Sequence, residues 1–306
     1  MRQIYYKSLK NNTFKKIDSL RKGAWLHIDN ASLPDLEEVC NELDIDLEDV
    51  RDALDPYEVP RLEKHPKYTL IFARVPIERG EDLHTQTLTI ILCKEIIVTV
   101  CPKASSIISQ LLAKNPKLHT TQKTKFVLYV LLKITEAFHA KIRSVQNNVL
   151  KTKGQVEHAD SKHILSLTKN EETLNQYQSA LVPLGNALEQ LAKGKIFPLH
   201  EEDEELLEDL LIALKQSLES SRVHLKSIVS LRSCYQMIFT NTLNKTTKIL
   251  TSLAVIFMIP TLLASLYGMN VALPFASSPI AFLGILGFSL ILSIGALIVF
   301  YWRKWL

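Results

Sequence analysis

The sequence lacks the clusters of polar residues on which enzyme and metal sites are built. It has no Gly-x-Gly-x-x-Gly or Gly-x-x-x-x-Gly-Lys phosphate loop, and its serines, cysteines and histidines form no recognisable catalytic set. His158 and His163 lie five residues apart, off a common helix face, which argues against a metal pair. The four cysteines are spaced too widely for a Cys-x-x-Cys site. We therefore expect no enzyme and no organic cofactor, and reduced thiols in a cytosolic domain.

Two further absences concern charge and targeting. The formal net charge of +4 over 306 residues is small and spread along the chain, so it gives no support to a nucleic-acid-binding role. The first residues, Met1 to Tyr6, lack the apolar core of a signal peptide. We therefore expect the N-terminal part of the chain to stay in the cytoplasm.

One stretch without charge organises the whole chain, because residues 249–302 contain no Asp, Glu, Lys, Arg or His. Crossing a hydrocarbon core of about 30 Å takes roughly 20 apolar residues as a helix, so this stretch predicts two spans, at 249–267 and 280–302. The residues between them, 268–279, include glycine, prolines and serines and predict an external loop. Basic residues flank the two spans on both sides: Lys245, Lys248, Arg303 and Lys304.

These basic flanks predict the orientation of the membrane segment. Because cationic flanks stay on the cytoplasmic side, we expect a multi-pass protein of the cell membrane with both termini in the cytoplasm. Residues 303–306 then form a basic cytoplasmic tail, and 249–306 is the part that meets membrane lipid.

Upstream of the spans, the pattern predicts an α+β cytoplasmic part in three segments. Residues 1–118 alternate strand and helix signals, which favours a mixed α/β domain with a modest sheet. Residues 119–200 predict a long helical hairpin, and residues 201–248 a stalk helix that continues into the first span. A helix from Glu201 to Tyr267 would be roughly 100 Å long, too long for the interior of a compact domain.

Two stripes of residues follow a spacing of three to four along this helix. The apolar stripe predicts burial against a neighbouring helix, and it comprises Leu207, Leu211, Leu214, Leu218, Leu225, Ile228, Tyr235 and Phe239. The polar stripe comprises Thr240, Asn244, Thr247, Thr251, Ala254, Met258, Thr261, Ser265 and Gly268. Small polar residues in a span either let helices pack closely or line a pore, and the pattern alone leaves both interpretations open.

The end of the first span carries a family resemblance. Tyr267-Gly268-Met269-Asn270, at the outer end of the first of two C-terminal spans, resembles the signature of the CorA magnesium channels. The similarity extends upstream through Asn244 and residues 257–266. The resemblance implies a CorA-like homopentamer, a channel-like uptake of hydrated Mg²⁺, and gating by cytoplasmic Mg²⁺.

The resemblance also implies roles for residues along the polar stripe. It places a selectivity filter at Gly268, Met269 and Asn270, where amide and carbonyl oxygens hold the hydrated ion through its bound water. It implies an apolar gate at Leu250 and Met258 and a polar inner ring at Asn244. Thr247 departs from family members that carry a bulky apolar residue there, and the loop lacks the acidic residues found in several members. The remaining pore-lining candidates are Thr251, Thr261 and Ser265.

Two carboxylates are candidates for regulation. Asp209 lies at the distance along the chain from Asn270 where the resemblance implies a regulatory carboxylate, and Asp49 lies in a similar Leu-Glu-Asp segment. A divalent cation between them would join two subunits and hold the ring closed at high internal Mg²⁺. The alternative is that both are unrelated surface acids.

Two other functions remain open at this point. Cobalt, nickel or zinc transport on the same scaffold is one of them. The other is a membrane-anchored interaction or sensor protein, which would be a monomer or dimer without ion current.

Overall fold

A computed structural model of the chain describes residues 2–10, 13–79, 82–113, 118–153, 161–193, 199–271, 274 and 280–305. Its N-terminal part is built on seven strands. They are β1 (Arg2–Tyr6), β2 (Lys15–Lys16), β3 (Trp25–Asp29), β4 (Arg61–Lys64), β5 (Tyr68–Arg79), β6 (Asp82–Cys93) and β7 (Ile97–Cys101).

The strands form one mixed sheet in the order β2-β1-β3-β7-β6-β5-β4. Strands β3 and β7 pair in parallel, and the other described pairs are antiparallel. Residues of β7 and nearly all of β3 are buried, as expected for central strands that are covered on both faces. β-branched and aromatic residues in the sequence indicate strands at 25–29, 68–75, 86–92 and 96–100. The structure has a strand at each place, but β5 extends four residues further at its C-terminal end and β6 begins four residues earlier.

The expectation of a modest sheet was wrong, because the sequence signals missed β1, β2 and β4. Strand β2 is only two exposed lysines, and β4 is Arg-Leu-Glu-Lys, so neither shows the alternation of apolar and polar residues that marks a strand. Both are edge strands that owe their conformation to the partner strand beside them. Charged residues at an edge also discourage pairing with other chains.

Helices cover both faces of the sheet. One face packs against α1 (Leu33–Leu43) and α2 (Leu47–Val50), which is followed by a 3-10 turn at Arg51–Leu54. Ser32 is the N-cap of α1 and forms a capping box with Asp35. The helix α3 (Ser106–Ala113) closes the unit. On the other face, the Trp25 ring contacts Phe126 of α4 (Lys123–Lys153) with ring centroids 4.9 Å apart.

Three long helices follow, and their existence agrees with the sequence analysis. After α4 come α5 (Ser161–Ala192), which contains Pro183, and α6 (Glu201–Tyr267), a single helix of 67 residues. The apolar stripe is buried or partly buried at every position. Leu214 packs on α5, because a Cβ at Gly185 would lie 3.1 Å from the Leu214 side chain. The turns predicted near residues 154 and 194–198 lie outside the described residues.

The last helix, α7 (Ala281–Trp302), coincides with the segment predicted as the second span. The chain divides into two compact units. The first contains the sheet, α1 to α4, α5 from Lys162, and α6 up to Arg232; the second contains α6 from Ser233 onward and α7. The four segment boundaries expected from the sequence stay predictions. Most of the external loop lies outside the described residues.

Candidate functional site

The polar stripe on α6 is exposed at all nine of its positions. The gate candidates Leu250 and Met258 are 63% and 65% exposed, as are other large apolar side chains of α6 and of the last helix, such as Phe257 at 68%. The Thr261 hydroxyl donates to the Phe257 carbonyl oxygen at 2.9 Å, so this polar group is satisfied within its own helix. The stripe is therefore a continuous, uncovered surface along the apolar half of α6.

The opposite side of α6 is less exposed and lies towards α7. Ser252 is fully buried, and the Ser293 hydroxyl of α7 donates to the Ile256 carbonyl oxygen at 3.5 Å. The partly covered positions of α6 recur every three to four residues and are Ile249, Ser252, Ile256, Ile259 and Leu263. The second helix thus leaves the polar stripe free for other contacts.

The helix α6 ends at Tyr267, where the candidate filter begins. The Gly268 amide donates to the Ala264 carbonyl oxygen at 3.0 Å, and the Met269 amide donates to the Leu266 carbonyl oxygen at 3.3 Å. Tyr267 donates its hydroxyl to the Pro274 carbonyl oxygen at 3.4 Å, which ties the helix end to the loop. Gly268, Met269 and Asn270 are all exposed. The Asn270 amide is accordingly available to a ligand beyond the helix end.

The helices α6 and α7 are, among the described residues, the two that are long and apolar enough to cross a membrane. The four flanking cations, Lys245, Lys248, Arg303 and Lys304, are exposed. This arrangement fits a C-terminal helical hairpin in which basic residues lie before the first span and after the second, so that both groups are expected on the same side of the membrane.

Asp49 is held by two side chains that the sequence analysis did not identify. The Tyr68 hydroxyl donates to Asp49 Oδ2 at 2.7 Å, and His65 Nδ1 lies 3.0 Å from the same oxygen. The His65 ring also stacks on the Tyr68 ring, with centroids 4.8 Å apart. Burial, and then the Asp49 carboxylate, raise the pKa of Tyr68 to about 12, so the phenol keeps its proton and acts as a donor.

The Tyr68 hydroxyl is a junction for α2. It accepts a hydrogen bond from the Asp46 amide at 3.2 Å while it donates to Asp49, and Asp46 in turn caps the helix by accepting from the Glu48 amide. The sheet brings these residues together, because Tyr68 begins β5 whereas Asp46 and Asp49 lie on α2. Tyr68 is about 20 residues away from Asp46 and Asp49 in the sequence, and no local pattern around Tyr68 indicates that they meet.

Asp209 is exposed on α6. Within the described part of the chain, no three His, Cys, Asp or Glu residues are grouped so that they could hold a metal ion. The described residues of a single chain therefore do not form a metal site with a full set of protein ligands.

With this geometry in hand, comparison with known proteins identifies the family. The family profile described as CorA-like Mg²⁺ transporter protein matches residues 21–304. The chain belongs to the CorA family. The family resemblance of the Tyr-Gly-Met-Asn segment is thereby confirmed.

Comparison with individual relatives gives the same family. The cobalt/magnesium transport protein CorA of Methanocaldococcus jannaschii is 25% identical over 269 residues, which are 84% of this chain and 83% of that protein. The magnesium transport protein CorA of Wolinella succinogenes is 26% identical over 195 residues, 62% of this chain and 60% of that protein. The complete structure of the M. jannaschii CorA magnesium transporter superposes with a TM-score of 0.81 at 18% identity, covering 100% of this chain and 99% of that one. The CorA-like fold, with its α/β domain, long helix and apolar C-terminal helix, is thus shown.

The contact between Tyr68 and Asp49 yields a first prediction. Tyr68→Phe removes one donor to Asp49 and one acceptor for the Asp46 amide, so we expect it to lower the free energy of unfolding by about 1–2 kcal/mol. Thermal unfolding of the purified full-length protein measures the change. Tyr57→Phe is the matched control, because Tyr57 is exposed and its ring contact with Arg74 does not use the hydroxyl. Equal Tm values for the two variants would contradict the junction role of Tyr68.

Proposed function

We propose that the protein is a homo-oligomeric channel for the uptake of hydrated Mg²⁺ across the cell membrane. The observation that carries the proposal is the exposed polar stripe on α6, which leads through the charge-free residues 249–267 to Gly268-Met269-Asn270 at the helix end. Membership of the CorA family supports Mg²⁺ as the transported ion. The M. jannaschii relative is named for cobalt as well as magnesium, so Co²⁺ is the second candidate substrate.

Several copies of the chain form the pore, because one helix cannot enclose a path for ions. The polar stripes of neighbouring copies face a common axis, and α7 covers the opposite side of each α6. The family resemblance supports five copies. The basic flanks support an orientation with both termini in the cytoplasm and the Tyr267–Asn270 end outside.

At the outer mouth, Asn270 presents a ring of side-chain amides to the ion. Mg²⁺ gives up its water reluctantly, so a mouth that passes it binds the hydrated ion through hydrogen bonds to that water. Amide and carbonyl oxygens accept those hydrogen bonds without the strong attraction of a carboxylate. The loop 271–279 contains no acidic residue, so ion attraction at the mouth depends on these dipoles.

Further along the stripe, Leu250 and Met258 form an apolar constriction that closes by excluding water. Both side chains are free in the single chain, as the gate requires. Asn244 forms a polar ring on the inner side, and the hydroxyls of Thr247, Thr251, Thr261 and Ser265 line the rest of the path.

Cytoplasmic Mg²⁺ regulates the channel through Asp49 and the Asp209 of a neighbouring copy. Two carboxylates that meet across a subunit boundary repel each other, and a divalent cation between them removes the repulsion and joins the subunits. Support comes from the exposure of Asp209 and from the partial exposure of Asp49, whose side chain is 31% exposed. His65 and Tyr68 both contact Oδ2 of Asp49 and orient the carboxylate.

Asn270 carries the prediction for the filter. Asn270→Ala removes the amide ring at a mouth without acidic residues, so we expect Mg²⁺ uptake to fall by about 10- to 100-fold, the usual effect of losing partners that act on a metal through its first ligands. Mg²⁺ uptake into liposomes by the purified variant measures it. Asn147→Ala, an exposed asparagine of α4, is the control and retains uptake. Parental uptake by Asn270→Ala in an intact oligomer would mean that the filter lies elsewhere.

Asp209 carries the prediction for regulation. Asp209→Asn removes one charge from a site that needs both carboxylates, so we expect about tenfold more Mg²⁺ to be needed for closure, while conduction persists. Protease protection of the cytoplasmic part, measured across a Mg²⁺ titration, gives the midpoint. Glu208→Gln removes an equal charge from the neighbouring exposed position and serves as the control. If Asp209→Asn and Asp49→Asn both keep the parental midpoint, the two acids are ordinary surface residues.

Met258 carries the prediction for the gate. Met258→Ser replaces an apolar side chain by a small hydroxyl in every copy, so water fills the constriction and ions leak even at high internal Mg²⁺. Thr247→Ser, a change at a position that is already polar, is expected to alter flux much less. Flux at high internal Mg²⁺ is measured together with the oligomer mass of both variants. A destabilised oligomer without extra flux would show that Met258 packs between helices and does not face the pore.

A further inference from the structure

A second candidate site lies in the α/β domain, and its lining includes neither Asp209 nor a residue of the polar stripe. It is a cavity of about 640 Å³ where four loops and helix ends meet: the segment before β3, the end of α1, the β4–β5 turn and the β6–β7 turn. We call it the basic pocket. Its size is within the range of small-molecule sites, which is about 300–1,000 Å³.

The floor of the basic pocket is apolar. Leu20, Leu43 and Ile96 line it, together with the Tyr68 ring and the partly buried Cys93. Ile96 and Tyr68 are buried in the core of the domain, so the floor belongs to a packed and rigid part of the fold. Such a floor suits a flat apolar group rather than a bare ion.

The rim carries cations that have no carboxylate partner. Among the described residues, Arg21, Lys22 and Lys94 form no salt bridge, and the Arg21 guanidinium lies over the Tyr6 ring at 3.5 Å. The charges of Glu42 and Lys67, which also line the pocket, are already paired with Arg2 and Asp44 respectively. Glu95 remains as an acid at the rim. The uncompensated charge of the lining is therefore positive.

Lys123 adds a further positive charge behind the β6–β7 turn. Its Nζ donates to the Cys93 carbonyl oxygen at 2.8 Å and to the Lys94 carbonyl oxygen, which fixes the turn that carries Lys94. Burial lowers the pKa of Lys123, Cys93 and Glu95 raise it, and Lys22 lowers it.

We propose that the basic pocket binds a nucleoside polyphosphate, with its phosphates on Arg21, Lys22 and Lys94 and its base on the apolar floor. Cations on flexible side chains match a group with several negative charges, and the buried floor matches a planar apolar body. This proposal does not depend on the pore, so it stands or falls separately from ion transport.

Calorimetric titration of the full-length protein with ATP in Mg²⁺-free buffer tests the affinity. We expect saturable binding that Lys22→Glu or Lys94→Glu each weakens by about tenfold, the usual scale for losing a hydrogen bond to a charged group. Lys215→Glu on α6, exposed and outside the pocket, changes the net charge equally and is expected to leave binding unchanged.

Two related probes separate the parts of the ligand. Tripolyphosphate is expected to bind more weakly than ATP because it leaves the floor empty, and adenosine more weakly still because it leaves the cations unpaired. Equal binding of ATP and tripolyphosphate would overturn the role of the floor. An equal loss in Lys215→Glu and the pocket variants would overturn the site itself.

Alkylation of Cys93 gives a test that needs no variant. Burial raises the pKa of the Cys93 thiol to about 11, so it reacts slowly, and a ligand on the floor covers it further. With ATP present, we expect the rate of Cys93 alkylation, followed by peptide mass spectrometry, to fall severalfold. Cys234 is exposed and is not part of the pocket lining, so its rate is the internal control. An unchanged Cys93 rate at a saturating ATP concentration would overturn the proposal.

Discussion

The hydrocarbon core of a membrane offers no hydrogen-bond partners, and this constraint determines which surface of α6 needs a polar environment. The Thr261 hydroxyl is satisfied within its own helix, and the exposed stripe also carries Thr251 and Ser265 inside the predicted span. Helix α7 leaves that stripe uncovered. Water or further copies of the same helix can cover the stripe, and both are present when several helices surround a water-filled pore.

The continuous helix α6 runs from the first unit of the chain into the second. The same helix of 67 residues carries the buried apolar stripe, Asp209 and the polar stripe. In the first unit the apolar stripe packs on α5, so the N-terminal half of α6 is fixed to its domain. In the regulation proposed above, a cation that joins Asp209 to Asp49 of a neighbouring copy acts on the helix whose other end carries the proposed filter. Without the cation, repulsion between these carboxylates favours separation of the subunits.

Features set by local pattern could be predicted from the sequence. The uncharged stretch predicted the two long apolar helical segments, and the helical pattern from Glu201 to Tyr267 predicted the length of α6. Strands β2 and β4 were missed, since their short polar sequences become strands through pairing with neighbours. Contacts between distant residues were also beyond reach. Tyr68 and His65 meet Asp49 because the sheet folds them together, and the basic pocket is assembled from four separate segments.

The filter candidates could be predicted from the sequence only in part. The family resemblance, confirmed by the match over residues 21–304, indicates Gly268, Met269 and Asn270 as a unit. The described residues add that all three are exposed at the end of α6. How copies of this end meet depends on assembly, which one chain does not contain.

Ion flux into sealed liposomes that contain only the purified protein tests the central claim most directly. A pore lined by the polar stripe predicts that Mg²⁺ enters down its gradient, and that Co²⁺, Ni²⁺ or Zn²⁺ added outside competes only if it fits the same mouth. Absence of any divalent-cation flux from correctly inserted oligomers would contradict the account. The C-terminal hairpin would then be an anchor, and the polar stripe a surface for helix packing.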